Sequence, residues 1–179
     1  MSKTEFSLEA ILASICKYKK ASMPTMFAKK RTILNKAALG GISSRTIVFF
    51  FFTLPFIEFA LIFNPIVFAK LGIAQSIVFF IVFMSIIMII IFGVSWKNNK
   101  SVIAKITPSW NSYFPDIDLK QILSSGITPY SDFFPRYSII AAENPSSSEL
   151  QSSLRKAFDK MKEENKDLLE AMERDSSRS

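Results

Sequence analysis

The chain has no histidine and a single cysteine, Cys16. Histidine-dependent acid–base catalysis is therefore excluded, and so is a disulfide within the chain. One cysteine without histidine leaves no ligand set for a structural zinc. The sequence contains no glycine-rich phosphate loop, no nucleophile elbow and no pair of acids placed for a cleft. These absences predict a protein that is not an enzyme and needs neither metal nor cofactor. One residue keeps a chemical question open. Glu58 stands in the middle of RTIVFFFFTLPFIEFALIFNPIVFAK, Arg45 to Lys70, a segment that otherwise suits lipid. A charged acid near mid-bilayer costs roughly 3 kcal/mol on insertion scales. Neutralising an ordinary carboxyl group at pH 7 costs about 3.7 kcal/mol. The two costs are comparable, so Glu58 is expected to face the protein interior or another subunit. Ser85 falls at nearly the same depth in the following apolar run, and a Glu58–Ser85 hydrogen bond is the expected latch. A proton path needs more than one stop, and the spans carry no second acid, no histidine and no lysine.

The elements that position Glu58 follow from length. Between Thr46 and Trp96 only Glu58 and Lys70 carry charge. This run is too long for one spanning helix, because a bilayer core of about 30 Å needs about 20 residues at 1.5 Å each. The fold class expected is an α-helical membrane protein with a two-span transmembrane hairpin. Asn64-Pro65 and Lys70-Leu71-Gly72 compete as the turn. The second gives matched spans, 46–69 and 73–95, with a charged tip, and leaves Pro65 as a kink near the end of the first span.

Basic residues set orientation. Lys29, Lys30, Arg31, Lys36 and Arg45 precede the spans, Lys97, Lys100 and Lys105 follow them, and Lys70 alone marks the tip. Both termini are expected in the cytoplasm, with a short loop outside. The Phe, Ile, Lys and Asn bias fits a bacterial source and its cytoplasmic (inner) membrane. The first apolar run begins too far in for a cleavable signal peptide, and Glu5 and Glu9 argue against a mitochondrial transit sequence. The net charge of +7 reads as attraction to anionic lipid, through Lys29, Lys30, Arg31, Lys36, Arg45, Lys97 and Lys100, rather than to nucleic acid.

Four segments result: a basic arm (1–44), the hairpin (45–96), an aromatic and proline-rich stretch (97–143) and a charged tail helix (144–179). In the arm, Leu8, Ile11, Leu12 and Ile15 share a helical face, and Lys17, Lys19 and Lys20 follow it. Pro24 ends that element, and Thr25 opens a second basic helix reaching Leu39 before Gly40-Gly41. The arm is expected to lie on the cytoplasmic membrane face, or to be a disordered basic tail. Trp96 suits the lipid interface. The stretch from Thr107 to Tyr137 is too apolar to float free. Ser112-Tyr113-Phe114-Pro115 and Asp132-Phe133-Phe134-Pro135 form a faint echo that reads as chance, and Pro115 is placed to open a short helix with Leu119, Ile122 and Leu123 on its apolar stripe.

In the tail, Asn144, Pro145 and a Ser148–Gln151 capping box predict a helix start. Leu154, Phe158, Met161, Asn165, Leu168 and Met172 then recur as a partner-binding heptad seam with Asn165 at an a position. Docking on its own chain is the competing use of that face. The function expected is anchoring of a cytoplasmic protein-interaction module to a larger membrane complex, with other membrane subunits, the lipid surface and a second copy as partners. Secretion, DNA-transfer and exclusion or immunity assemblies use small subunits of this kind. The alternative is a membrane-active hairpin, pore-forming, proton-conducting or membrane-shaping, or an effector inserted in a host membrane. A pore needs a polar stripe, and Ser76 and Ser85 do not make one.

Overall fold

The computed structural model describes residues 6–19 and 27–176. These are mostly helical, with seven α-helices among the described residues. In chain order they are α1 (Leu8–Ile15), strands β1 (Cys16–Lys19) and β2 (Phe27–Lys30), a 3₁₀ turn (Lys36–Leu39), α2 (Ser44–Ile62), α3 (Pro65–Tyr113), α4 (Leu119–Leu123), α5 (Phe133–Ala142), α6 (Ser147–Glu164) and α7 (Lys166–Ser176). The chain divides into two compact units. Met1–Thr32 and Ile103–Ser179 form one, here the helical unit, and Ile33–Val102 form the other, the hairpin unit.

The core of the helical unit is aromatic. Trp110 buries its ring near Phe114 (4.8 Å between centroids) and Phe158 (6.1 Å). Phe158 is also 5.2 Å from Phe114, 5.6 Å from Tyr130 and 5.5 Å from Phe133, stacked on the last. The Trp110 indole N–H donates to the Ile117 carbonyl at 2.8 Å, satisfying a buried donor as such rings require. That bond holds the reversal after α3. Asp118 then caps α4 by accepting from the Lys120 N–H (2.9 Å), and Leu119, Ile122 and Leu123 are buried. The helix thus starts at Leu119, with Pro115 in the turn before it. The stretch expected to need packing finds it within its own unit. Its two aromatic–proline motifs are not a structural repeat, since one ends α3 and the other opens α5.

Leu8, Ile11, Leu12 and Ile15 share the predicted face of α1, but the protein itself buries it. The Ser147 hydroxyl donates to the Glu9 carboxylate, tying α1 to α6. That face is consequently not free for lipid. The basic helix expected from Thr25 to Leu39 does not form over its described residues. Residues 27–30 pair antiparallel with β1 instead, and a 3₁₀ turn follows at 36–39. Pairing satisfies the backbone groups that face each other across the two strands, and the Arg31 N–H donates to the Ile15 carbonyl at 2.9 Å. Ala and Lys are good helix formers, but an isolated helix this short is marginal in water, and the ladder with β1 wins. Lys20, Pro24 and Thr25 lie outside the described residues.

The tail helix starts one step from its predicted cap. The Ser146 N–H donates to the Glu149 carboxylate at 2.8 Å and its hydroxyl donates at 2.7 Å, so the capping box is Ser146–Glu149 rather than Ser148–Gln151. Asn144 adopts φ +47 in the preceding turn, a left-handed conformation that Asn tolerates. The heptad positions divide between two helices, and the first three take the competing use, docking on their own chain. Leu154, Phe158 and Met161 are buried in their own unit's core. Asn165 ends α6, and its amide donates to the Met161 carbonyl at 2.9 Å. Leu168 and Met172 belong to a separate helix, α7, half-buried and exposed respectively.

In the hairpin unit, α2 and α3 are two helices long and apolar enough to cross a membrane. Ser43 caps α2, accepting from the Arg45 N–H at 3.2 Å. Both predicted turn signals operate. The first helix ends at Ile62, not Ala69. The Asn64 side chain accepts from the Ile66 N–H at 2.9 Å, which makes Pro65 the first residue of α3 rather than a kink in α2. Gly72, at φ +75, breaks α3 once more; glycine alone adopts that backbone without strain. Past that break the helix runs from Ile73 through Ser95 to Tyr113. Asn99 accepts from the Leu34 N–H (2.8 Å) and Asn98 donates to the Leu34 carbonyl (2.9 Å), strapping the segment before α2 onto α3.

Because Phe158 touches four other rings, Phe158→Ala is expected to destabilise the full chain in detergent by about 3–5 kcal/mol. Met172→Ala on exposed α7 should stay within about 0.5 kcal/mol. Chemical denaturation followed by near-ultraviolet circular dichroism measures both.

Candidate functional site

Low exposure recurs every three or four residues on both hairpin helices. On α2 the stripe is Ser44, Ile47, Phe51, Leu54, Glu58 and Ile62; on α3 it is Ser76, Phe80, Met84, Ile87 and Ile91. The helices touch through Phe80, whose ring lies 6.3 Å from Phe59 and 5.9 Å from Phe63. Glu58 sits on this seam and is 7% exposed. Neither of its carboxylate oxygens has a hydrogen-bond partner. Most of its seam neighbours, including Ile47, Phe51, Leu54, Phe80, Met84 and Ile87, are only half-buried. Pro55 stands one turn before it. Lacking an N–H, Pro55 leaves the Phe51 carbonyl without its intrahelical donor and loosens α2 there.

The expected Glu58–Ser85 bond is not formed. Ser85 is exposed, and its hydroxyl donates to the Ile81 carbonyl at 2.8 Å. Thr53 and Thr107 do the same toward Phe49 (2.8 Å) and Ile103 (2.7 Å), the ordinary outlet for a hydroxyl on an apolar helix. Depth alone paired Ser85 with Glu58; its angular position on the helix sends it elsewhere. Ser76 is the seam hydroxyl instead. It is fully buried and its Oγ also lacks a partner. Its own outlet would be the carbonyl of residue 72, four positions back, and that is where Gly72 breaks the helix. Apolar periodicity on α3 could have found Ser76, but only with the break at Gly72 known.

The cations assigned to lipid sort into two kinds. The Lys30 ammonium donates to the Leu123 carbonyl and the Arg31 side chain to the Cys16 carbonyl (2.8 Å), so both serve the fold. Lys29 is exposed and stands directly opposite Lys17 across the strand pair, a like-charge juxtaposition that an anion relieves. In the hairpin unit, Lys36 is half-buried in the 3₁₀ turn, Arg45 and Lys97 are exposed, and Lys100 lies 5.1 Å from the centre of the Trp96 ring.

Little else offers chemistry. Cys16 is buried, and burial pushes its thiol up to about 11 despite the nearby Arg31 charge. A thiol held neutral is a poor nucleophile. Among the described residues no group of three or more acids, Cys or His is placed to hold a metal ion. A cleft between Phe114–Ile117 and Arg155–Lys162 encloses about 60 Å³, room for a few waters but not for a cofactor. The fold therefore defines a helical protein with an exposed apolar hairpin and a separately cored helical unit. Comparison with protein-family models, curated proteins and solved structures finds no match for this chain.

An unpartnered buried carboxyl destabilises its surroundings, so Glu58→Leu is expected to stabilise the isolated chain in detergent by about 1–3 kcal/mol. A rise in thermal midpoint on the helical circular dichroism signal would register it. A fall would mean that Glu58 is satisfied in solution. Cys16 should resist maleimide labelling at neutral pH in the native chain and react fully in denaturant, as read by mass spectrometry.

Proposed function

We propose that this chain is a non-enzymatic membrane anchor whose helical unit is a protein-interaction module of a larger membrane complex. One observation carries the reading. Of the 28 large apolar side chains exposed among the described residues, 25 lie between Ile42 and Trp96; Ile127, Ile139 and Met172 are the others. Water-soluble surfaces do not concentrate apolar area in this way, whereas a bilayer solvates it. The helical unit has its own aromatic core and leaves few large apolar side chains exposed, as a part working in water should.

On this reading α2 and the run from Ile73 to Ser95 span a bacterial cytoplasmic membrane, with both termini in the cytoplasm. Lys29, Lys36, Arg45, Lys97 and Lys100 are then the cations available to anionic headgroups, each worth about 1 kcal/mol near such a surface. Lys30 and Arg31 leave that set, being used inside the fold. The absence of a polar stripe on either span disfavours a pore.

Reporters active only in the cytoplasm, fused before Met1 and after Ser179, should both be active. The tagged chain, extracted from its native membrane in mild detergent, should travel in a complex larger than itself. An externally active reporter at either end overturns the topology. A chain that travels alone overturns the assembly role.

A further inference from the structure

Glu58 combines three properties seldom found together: nine-tenths burial, no hydrogen-bond partner on either oxygen, and a seam that its two helices leave half-covered. Buried polar groups are almost always satisfied, so an orphan points to a missing partner. None of the described residues supplies one. Among the described residues of the hairpin unit, the nearest cation on the same helix is Arg45. It lies thirteen residues away, about 20 Å at 1.5 Å per residue. Ser76, the other orphan, is neutral.

We propose that the Glu58 seam is the docking site for a third transmembrane helix, from a different protein, carrying a lysine or arginine at mid-span. This deepens the anchoring role and rests on it. Charge complementarity selects the occupant. Within lipid, acids and bases pair with one another, and a basic side chain supplies the donors that both Glu58 oxygens lack. A second copy in the same orientation would bring another Glu58 to this depth, not a cation. Access needs no unpairing of the hairpin. A glutamate side chain has three torsions, and rotation about them at the half-buried edge brings the carboxylate to the face that an incoming helix would cover. Without that helix the seam is the less costly place for the carboxylate. With a base on the incoming helix the order reverses. Pro55 adds local give in α2 at the same level. Ile47, Phe51 and Leu54 on α2, with Phe80, Met84 and Ile87 on α3, offer apolar area for the incoming helix to cover.

The test uses the full chain, with an acceptor dye at its carboxyl terminus, in phosphatidylcholine vesicles. Its partners are donor-labelled 23-residue Leu/Ala helices whose central residue is Lys or Leu. Energy transfer is expected to report association of the Lys helix on the order of tenfold tighter than the Leu helix, a usual size for one interhelical polar contact. Glu58→Gln should bring the Lys helix down to the Leu level, and Glu58→Asp should retain part of the preference. Equal binding of the two helices to the wild-type chain would overturn the proposal, as would undiminished Lys preference in Glu58→Gln. Chain–chain transfer that is lost in Glu58→Gln would assign the seam to a second copy and overturn it too. Circular dichroism of each variant establishes that the helices persist. Failure here with both termini on one side of the membrane refutes the docking site and leaves the anchor intact. A chain that does not insert refutes the anchor itself.

Discussion

The stacking of Phe158 on Phe133 closes the helical unit. Four rings, from the end of α3, the loop before α5, α5 itself and the turn after Trp110, converge on that one side chain of α6. Aromatic pairs add about 0.5–1.5 kcal/mol each beyond the area they bury, so the cluster outweighs anything local that these short elements can offer. α4 has five residues and α5 has ten, lengths at which an isolated helix is marginal in water. They persist because the cluster holds them. The indole bond from Trp110 to the Ile117 carbonyl makes the reversal after α3 part of the same arrangement.

The hairpin obeys a different constraint. A helix satisfies its own backbone, so an apolar stretch of this length can meet lipid without cost from peptide groups. Side chains that carry polar atoms must still find an outlet. Thr53 and Ser85 find one in their own backbone. Ser76 loses it where Gly72 interrupts α3, and Glu58 has no local outlet of any kind. Among the described residues the two buried side chains without a partner are thus both seam residues, and the seam is where a partner's contribution would count most. The contrast with the helical unit is sharp: there the buried Trp110 N–H is paired, and the Glu9 carboxylate, held below its usual range chiefly by the Ser147 hydroxyl, is paired as well.

Several features were legible in the sequence because they depend on neighbours in the chain. Hydropathy over 46–96 marked two apolar helices. The spacing of Leu8, Ile11, Leu12 and Ile15 marked the buried face of α1. Asn64-Pro65 and Gly72 marked both breaks, and the short helical piece from Pro65 to Leu71 uses the two together. The seam position of Glu58 was anticipated from the cost of exposing an acid to lipid, but its partner was not.

What the sequence by itself determined is periodicity and punctuation: which faces are apolar, where helices start and stop, and that one acid stands in an apolar run. Those properties act through nearest neighbours on a helix. What only the tertiary structure decided is the use to which each face is put. A stripe such as Leu154–Phe158–Met161 reads alike whether it covers a second copy or its own core, because burial is scored by area and not by the identity of the partner. The strand pair of β1 and β2 replaced a helix because β1 supplied the hydrogen bonds that β2 would otherwise have found in its own turn. Ser76, and not Ser85, lies on the seam because the helical angle, and not depth along the span, decides which hydroxyl enters it.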